Sequence, residues 1–267
     1  MPREMNKSRS MSAESSEIKA MRACKLMYGD VSAEYSGESK RIKKNKDVIL
    51  AGKQYRGLFI NQDGWLFRYK NLRNGNRQIM DFVLPGQIFG LQAYLFQAAL
   101  FSVAAITDAT VLYVPLDTID HVFERTPSFA KALFWSAVCE AAITGEHLIN
   151  AACRSAYERV SHLLLELFVR LRSVDLTDGM SFSMPLTQEH IGSALGLTNV
   201  HVNRTLRSLR DDNLIAIDGS RITILDFESL VLLSNFDHSY LAETARTLRG
   251  EMTVAEPNEA QQDTRPN

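Results

Sequence analysis

The chain has 267 residues, 45% of them hydrophobic and 23% charged, which allows a packed core and excludes collagen-like, wholly disordered and disulfide-scaffold classes. Lysine and arginine number 30 against 31 acidic residues, a formal net charge of -1, so any nucleic-acid function must rest on a local basic surface. The three cysteines, Cys24, Cys139 and Cys153, form no CxxC or Cys/His pattern for zinc or an iron–sulfur cluster and fit a reducing cytoplasm.

Residues 1–20 are rich in Ser, Lys, Glu and Arg, lack the apolar centre of a secretory signal, and read as a mobile segment. The most apolar stretch, Leu91 to Ile106, is interrupted by Gln92 and Gln97, so neither export nor membrane insertion is expected. Residues 21–126 read as one sensor domain built of β-strands. From about Arg41 to Pro115, short apolar-alternating runs are punctuated by Asp63-Gly64, Asn74-Gly75 and Pro85-Gly86, turn pairs between antiparallel strands.

After Thr126 the turn signals nearly vanish, and residues 127–154 read as one long helix, with Pro127 in the first turn where its missing N–H is not needed. An apolar stripe on it, Phe134, Val138, Ala141, Gly145, Leu148 and Ala152, alternates spacings of four and three, as in a coiled-coil seam. That stripe is either a core-facing surface or the seam of a dimer. A second helix, around Ala156 to Arg172, carries Val160, Leu163, Leu164, Leu167 and Leu171 at core spacing, and the junction from Cys153 to Tyr157 is the candidate hinge.

Residues 155–240 hold the most informative text, PLTQEHIGSALGLTNVHVNRTLRSLRDDNLIAIDGSRITILDFESL, beyond a loop containing Gly179. Thr187 is a good N-cap, Glu189 sits in the first turn, and Ile191 and Leu195 share a face. Gly196 suits the left-handed turn that ends this helix, Thr198 caps the next, and Val202, Leu206 and Leu209 repeat at core spacing, while Gly192 lets the two helices cross closely. These features predict a helix-turn-helix whose second helix fits a DNA major groove. Away from its core it presents Asn199, Val200, His201, Asn203, Arg204, Arg207 and Arg210, hydrogen-bonding and apolar groups suited to base edges, with three arginines and no acid. Two β runs joined through Asp218-Gly219 predict a wing that sets Arg221 against a phosphate. The tail, residues 241–267, is polar and reads as mobile.

Across roughly residues 40 to 240 this arrangement resembles the cyclic-AMP receptor protein/FNR (CRP/FNR) family of transcription regulators. LTQEHIGSALGLTNVHVNRTLRSLRDDNLI and the DGSRITILD wing carry the resemblance, with PGQIFGLQ and SVAAITDATVLYVP in the β domain. It implies an α+β chain: an N-terminal cyclic-nucleotide-binding-type β-roll, a long dimerisation helix and a C-terminal winged helix-turn-helix. It also implies a homodimer on a palindromic operator in double-stranded DNA, with RNA polymerase as a further partner for an activator. By position, Asn199, Val200, Asn203 and Arg204 match the family's base-reading residues, and Thr187, Gln188 and Thr198 match positions near phosphates. Many members carry Glu where Val200 stands, so the operator is expected to depart from the usual half-site, with His201 a further candidate contact.

Cyclic-nucleotide members of that family carry Gly-Glu and an Arg about ten residues on. Here Gly90 is followed by Leu91, the Arg position falls near Phe101, and no Lys or Arg occurs between Arg77 and Arg125, so cyclic AMP is not expected. With only Cys24 near the N-terminus an iron–sulfur cluster lacks ligands, and His121 and His147 are isolated candidates for haem, so no cofactor is expected. Cys139 and Cys153 lie about 21 Å apart along a helix axis and are expected to pack as small buried residues. No helical HExxH, P-loop or nucleophile-elbow motif is present, so no enzyme is expected. The competing reading is a small-molecule-binding or thiol-redox sensor module with only weak DNA contact.

Overall fold

The computed structural model describes residues 38–117, 119 and 127–241. The segment 1–20, Cys24, His121 and the tail beyond Leu241 lie outside the described residues. Among the described residues eight strands come first: β1 (Glu38–Ile42), β2 (Asp47–Ile49), β3 (Gly57–Asp63), β4 (Leu66–Asn71), β5 (Arg77–Val83), β6 (Ile88–Phe89), β7 (Ser102–Ala105) and β8 (Ala109–Pro115). They form two antiparallel sheets, ordered β1-β8-β3-β6 and β2-β7-β4-β5, with a short 3-10 turn at Leu91–Tyr94. The Asn74-Gly75 and Pro85-Gly86 pairs lie at the β4–β5 and β5–β6 connections, as the sequence predicts.

Alternation along the strands decides what each face covers. Phe59, Leu66, Val83, Phe89, Val103 and Val111 turn inward and form the core between the sheets. Leu58, Ile60, Ile88 and Val114 point the other way and pack with Phe129, Ala132 and Leu133 of α1 (Pro127–Cys153). Because β3 is buried on both faces, its text from Gly57 to Ile60 is a continuous apolar run, GLFI, followed by the buried Asn61.

The six residues of the α1 stripe are all exposed, Phe134 at 71% and Leu148 at 70%, while Phe129, Ser136, Ile143 and Asn150 are buried. The stripe therefore does not face the core of its own chain. Cys153 is exposed and Cys139 half-buried, which corrects the expectation of two buried thiols. Only Arg154 and Ser155 separate α1 from α2 (Ala156–Arg172), and Ser155 forms a reciprocal capping box with Glu158.

Helix α2 buries the five predicted core residues and also Leu165 and Phe168, because it lies between the β4–β5 sheet and the C-terminal helices. The expected Gly179 loop is in fact a hairpin of β9 (Thr177–Asp178) and β10 (Ser181–Ser183). It extends the pair β11 (Ile215–Asp218) and β12 (Arg221–Ile224) to a four-stranded sheet, ordered β11-β12-β10-β9. Helices α3 (Gln188–Leu195), α4 (Asn199–Asp211) and α5 (Phe227–Ser234) complete the unit.

Candidate nucleic-acid interface

The Thr187 hydroxyl accepts the His190 N–H at 3.2 Å, and His190 Nδ1 accepts the Thr187 N–H at 3.2 Å, which satisfies two otherwise orphaned donors at the start of α3. Gly196 ends the helix at φ +67°, a left-handed conformation that glycine adopts without strain. A Cβ on Gly192 would lie 2.5 Å from the Leu197 carbonyl oxygen, so only glycine permits this close crossing. Thr198 then caps α4 by accepting the His201 N–H at 3.2 Å. Val202, Thr205 and Leu209 are buried beneath α4, with Leu206 half-buried beside them.

Capping and burial leave one face of α4 open. Asn199, Val200, Asn203, Arg204, Arg207 and Arg210 are exposed on it, Val200 at 80%, and His201 is half-buried. Thr187, Gln188 and Thr198 are exposed at the two helix N-termini, Thr198 directly preceding Asn199. Among the described residues Arg207 makes only an exposed i,i+4 pair with Asp211, at 3.8 Å. In the wing, Gly219 and Ser220 form the loop between the paired residues Asp218 and Arg221. Arg221 is exposed but ion-paired to Asp178 of β9, so a phosphate would have to displace that carboxylate. The sequence carried no signal for this partner, which sits in a hairpin whose text reads as a loop.

The cleft between the β-roll and α1 is small, about 40 Å³, and is lined by Arg68, Asp81, Trp135, Ser136, Cys139 and Glu140 among others. Its cation comes from β4, ahead of the stretch between Arg77 and Arg125 that lacks basic residues. Arg68 is ion-paired to Glu140 and lies 3.7 Å from Asp81, and burial lowers its pKa.

Behind this cleft, His162, Glu166 and Arg170 are spaced four apart and line one face of α2. Arg170 donates to Asp81 at 2.9 Å, to Glu166 at 2.8 Å, to the Phe82 carbonyl at 2.6 Å and to Gln87 at 2.9 Å. His147, from α1, bonds the Met80 carbonyl through Nδ1 at 3.0 Å and Glu166 through Nε2 at 2.9 Å. Burial alone would lower the His147 pKa, but the Glu166 carboxylate raises it to about 9. Glu166, which burial would raise, is in turn held at about 2. Asp81, His147 and Glu166 are metal-ligating types with ligand atoms within 4.8 Å, but the guanidinium of Arg170 already bridges both carboxylates. The junction is thus a buried ion network. Sequence periodicity cannot register it, because its members come from β5, α1 and α2.

Comparison with known proteins agrees with this architecture. Residues 39–126 match the cyclic nucleotide-binding domain family, and residues 158–233 match the Crp-like helix-turn-helix domain family. The transcriptional activator protein anr of Pseudomonas aeruginosa is 24% identical over 193 residues, which cover 72% of this chain and 79% of that protein. The fumarate and nitrate reduction regulatory protein of Vibrio cholerae is 24% identical over 195 residues, 73% of this chain and 78% of that protein. Among solved structures, FixK2 from Bradyrhizobium japonicum superposes with a TM-score of 0.69 at 24% identity, over 76% of this chain and 100% of that one. Among the described residues no helix is long and apolar enough to cross a membrane. With its β domain, long helix and Crp-like DNA-binding helix-turn-helix, the chain belongs to the CRP/FNR family of transcription regulators.

Proposed function

We propose that the protein is a cytoplasmic homodimer that reads a palindromic operator through α4, with no catalytic activity and with a β-roll that does not take cyclic AMP. The observation that carries this reading is the open face of α4, where Asn199, Val200, Asn203 and Arg204 are exposed, with Thr187, Gln188 and Thr198 exposed at the N-termini of the two helices. Arg204 is the candidate for bidentate pairing with guanine, Asn199 and Asn203 for adenine, and Val200 for a thymine methyl, while Arg207 and Arg221 serve phosphates. His201, half-buried in the first turn of α4, is a further candidate contact.

The exposed stripe on α1 supports dimerisation, since apolar side chains such as Phe134 and Leu148 gain by burial against a second copy. A cleft of about 40 Å³ is far below the roughly 300 Å³ or more of small-molecule sites, and the positive charge of Arg68 is already met by carboxylates, both of which argue against a cyclic nucleotide. The relatives named as activators favour RNA polymerase as a further partner.

A second reading, a sensor for an apolar small molecule, has one specific support. A cavity of about 270 Å³ lined by Leu58, Leu91, Leu95, Leu116, Leu133 and Phe134 adjoins the stripe. Affinity selection from a random duplex pool, under reducing conditions without effector, tests the first reading. Enrichment of a palindrome with half-sites about one helical turn apart is expected. Enrichment of no sequence, with a melting temperature raised by apolar ligands, would favour the second.

A further inference from the structure

Helix α1 has an inner seam opposite the exposed stripe, and its character changes along the helix. Phe129, Ala132 and Leu133 pack against Leu58, Ile60 and Val114 of the β-roll. Of the inner positions that follow, Ser136, Glu140, Ile143, His147 and Asn150, four are polar. Each of those four has a partner off the helix. Ser136 Oγ donates to the Ile88 carbonyl at 3.5 Å, Glu140 pairs with Arg68, His147 meets Glu166 and the Met80 carbonyl, and Asn150 Nδ2 donates to the Arg159 carbonyl at 3.4 Å. Apolar contacts tolerate sliding, whereas a directional polar contact is lost by a small shift, so the second half of α1 is fixed in register where the first half is only held down.

The charges form one chain of alternating sign. Glu140 of α1 pairs with Arg68 of β4, which lies 3.7 Å from Asp81 of β5; Asp81 takes Arg170 of α2 at 2.9 Å, and Arg170 takes Glu166 at 2.8 Å. His147 of α1 closes the chain on Glu166 at 2.9 Å. Asp81 thus stands between two guanidiniums, one that reaches the long helix α1 and one that comes from the helix leading to the DNA-binding unit. Arg170, with four partners, anchors the junction. Arg68 is less well served: its Nε is buried without a hydrogen-bond partner among the described residues, at the wall of the cleft of about 40 Å³. An apolar side chain of similar volume is often neutral or stabilising in place of such a charge, so fold stability gives little reason for it.

We propose that Arg68 is a positioning residue for operator recognition: acting through Glu140 and Asp81, it holds α1 and α2 in one register against the β-roll, so that the two recognition helices of the dimer keep one spacing with no effector bound. The inference rests on the operator-reading function proposed above and adds how its geometry is maintained. Only Arg154 and Ser155 separate α1 from α2, so a rotation of α1 about its axis is passed on to the DNA-binding unit. A palindrome fixes the distance between half-sites, and a dimer gains from both only where its recognition helices match that distance.

The test measures binding to three duplexes: the selected palindrome, the same half-sites set one base pair further apart, and a scrambled sequence. Arg68→Met is expected to weaken palindrome binding about tenfold and to narrow the preference for the correct spacing, with affinity for the scrambled duplex and the dimer in sedimentation unchanged. Arg68→Lys, which keeps the charge, is expected to recover most of that loss. Glu140→Gln, at a half-buried residue, cuts the link to α1 while leaving Arg68 beside Asp81, and is expected to relax the spacing preference in the same way. This variant decides the matter if Arg68→Met does not fold. A wild-type spacing preference in Glu140→Gln overturns the proposal, as does a loss shared equally by palindrome and scrambled duplex, which marks a general effect of charge or folding. Tighter palindrome binding by Glu140→Gln also overturns it, because the chain of charges would then restrain recognition. A wild type that does not prefer the palindrome over the scrambled sequence would defeat the operator-reading function itself, a result separable from the others.

Discussion

Arg170 on α2 and Asp81 on β5 meet at 2.9 Å in a pocket where both side chains are almost fully buried, 5% and 9% exposed. The pair ties the helix that leads into the DNA-binding unit to the β-roll, and Glu166 and the Phe82 carbonyl complete the guanidinium's partners. Removing one member leaves the other charges buried without compensation. Arg170→Met is therefore expected to destabilise the protein by about 3–5 kcal/mol, read as a lowered urea midpoint. An unchanged midpoint would mean that the network relaxes into solvent.

The same junction sets the pH dependence of stability. The folded-state pKa of His147 is raised from 6.5 to about 9, so its contribution is fully present below pH 6.5 and lost as the pH rises through about 9. His162, fully buried, has its pKa lowered by desolvation from 6.5 to about 4, so its contribution is fully present above pH 6.5 and lost as the pH falls through about 4. Glu166, lowered to about 2 despite its burial because His147 and Arg170 face it, adds a further loss at still lower pH. Stability is expected to peak near pH 6.5. Urea titrations across pH should show a flattened alkaline limb in His147→Gln and a flattened acid limb in His162→Gln. Unaltered limbs would remove these histidines from the account.

The parts legible in the sequence were those written in local chemistry. Thr187, Gly192, Gly196 and Thr198 predict caps, crossing and turn because each acts on backbone within a few residues, and the structure places them in those roles. The α1 stripe was legible as a spacing but not as a direction, since a period of 3.5 fits a core or a partner equally; only the exposure of Phe134 and Leu148 separates them. The β9–β10 hairpin is not legible, because strands of two and three residues are too short to show alternation. Arg68 and the Asp81–Arg170 pair were invisible for another reason. Residues 89 apart in sequence leave no periodic trace of their meeting.

The exposed stripe makes its own prediction. Phe134 and Leu148 lie 14 residues apart on the outer face of α1, two heptads along one seam. Phe134→Glu/Leu148→Glu sets like charges opposite each other in a two-fold pair, so sedimentation should report a monomer with an unchanged far-ultraviolet spectrum. Affinity for a palindromic duplex should fall by orders of magnitude, because a monomer engages one half-site alone. A variant that stays dimeric would move the interface elsewhere.

At the reading face, exposure separates recognition from folding. Arg204 is exposed and makes no ion pair among the described residues, so Arg204→Ala should leave the melting temperature unchanged. It should weaken operator binding by about 1–3 kcal/mol and relax preference at one base position. Arg207→Ala, at an exposed residue with only a 3.8 Å surface pair, should weaken all duplexes alike and lower the salt slope by about one per protomer. Val200 offers the sharper test, because an 80% exposed valine on a DNA-reading helix has no folding role to confound it. Its methyl groups favour a thymine methyl, whereas a carboxylate accepts a hydrogen bond from the cytosine amine. Val200→Glu should therefore fold normally and move the selected base at that position from thymine toward cytosine. Selection of the same palindrome by both proteins would place Val200 outside the groove and return the base-reading role to Asn199, Asn203 and Arg204 alone.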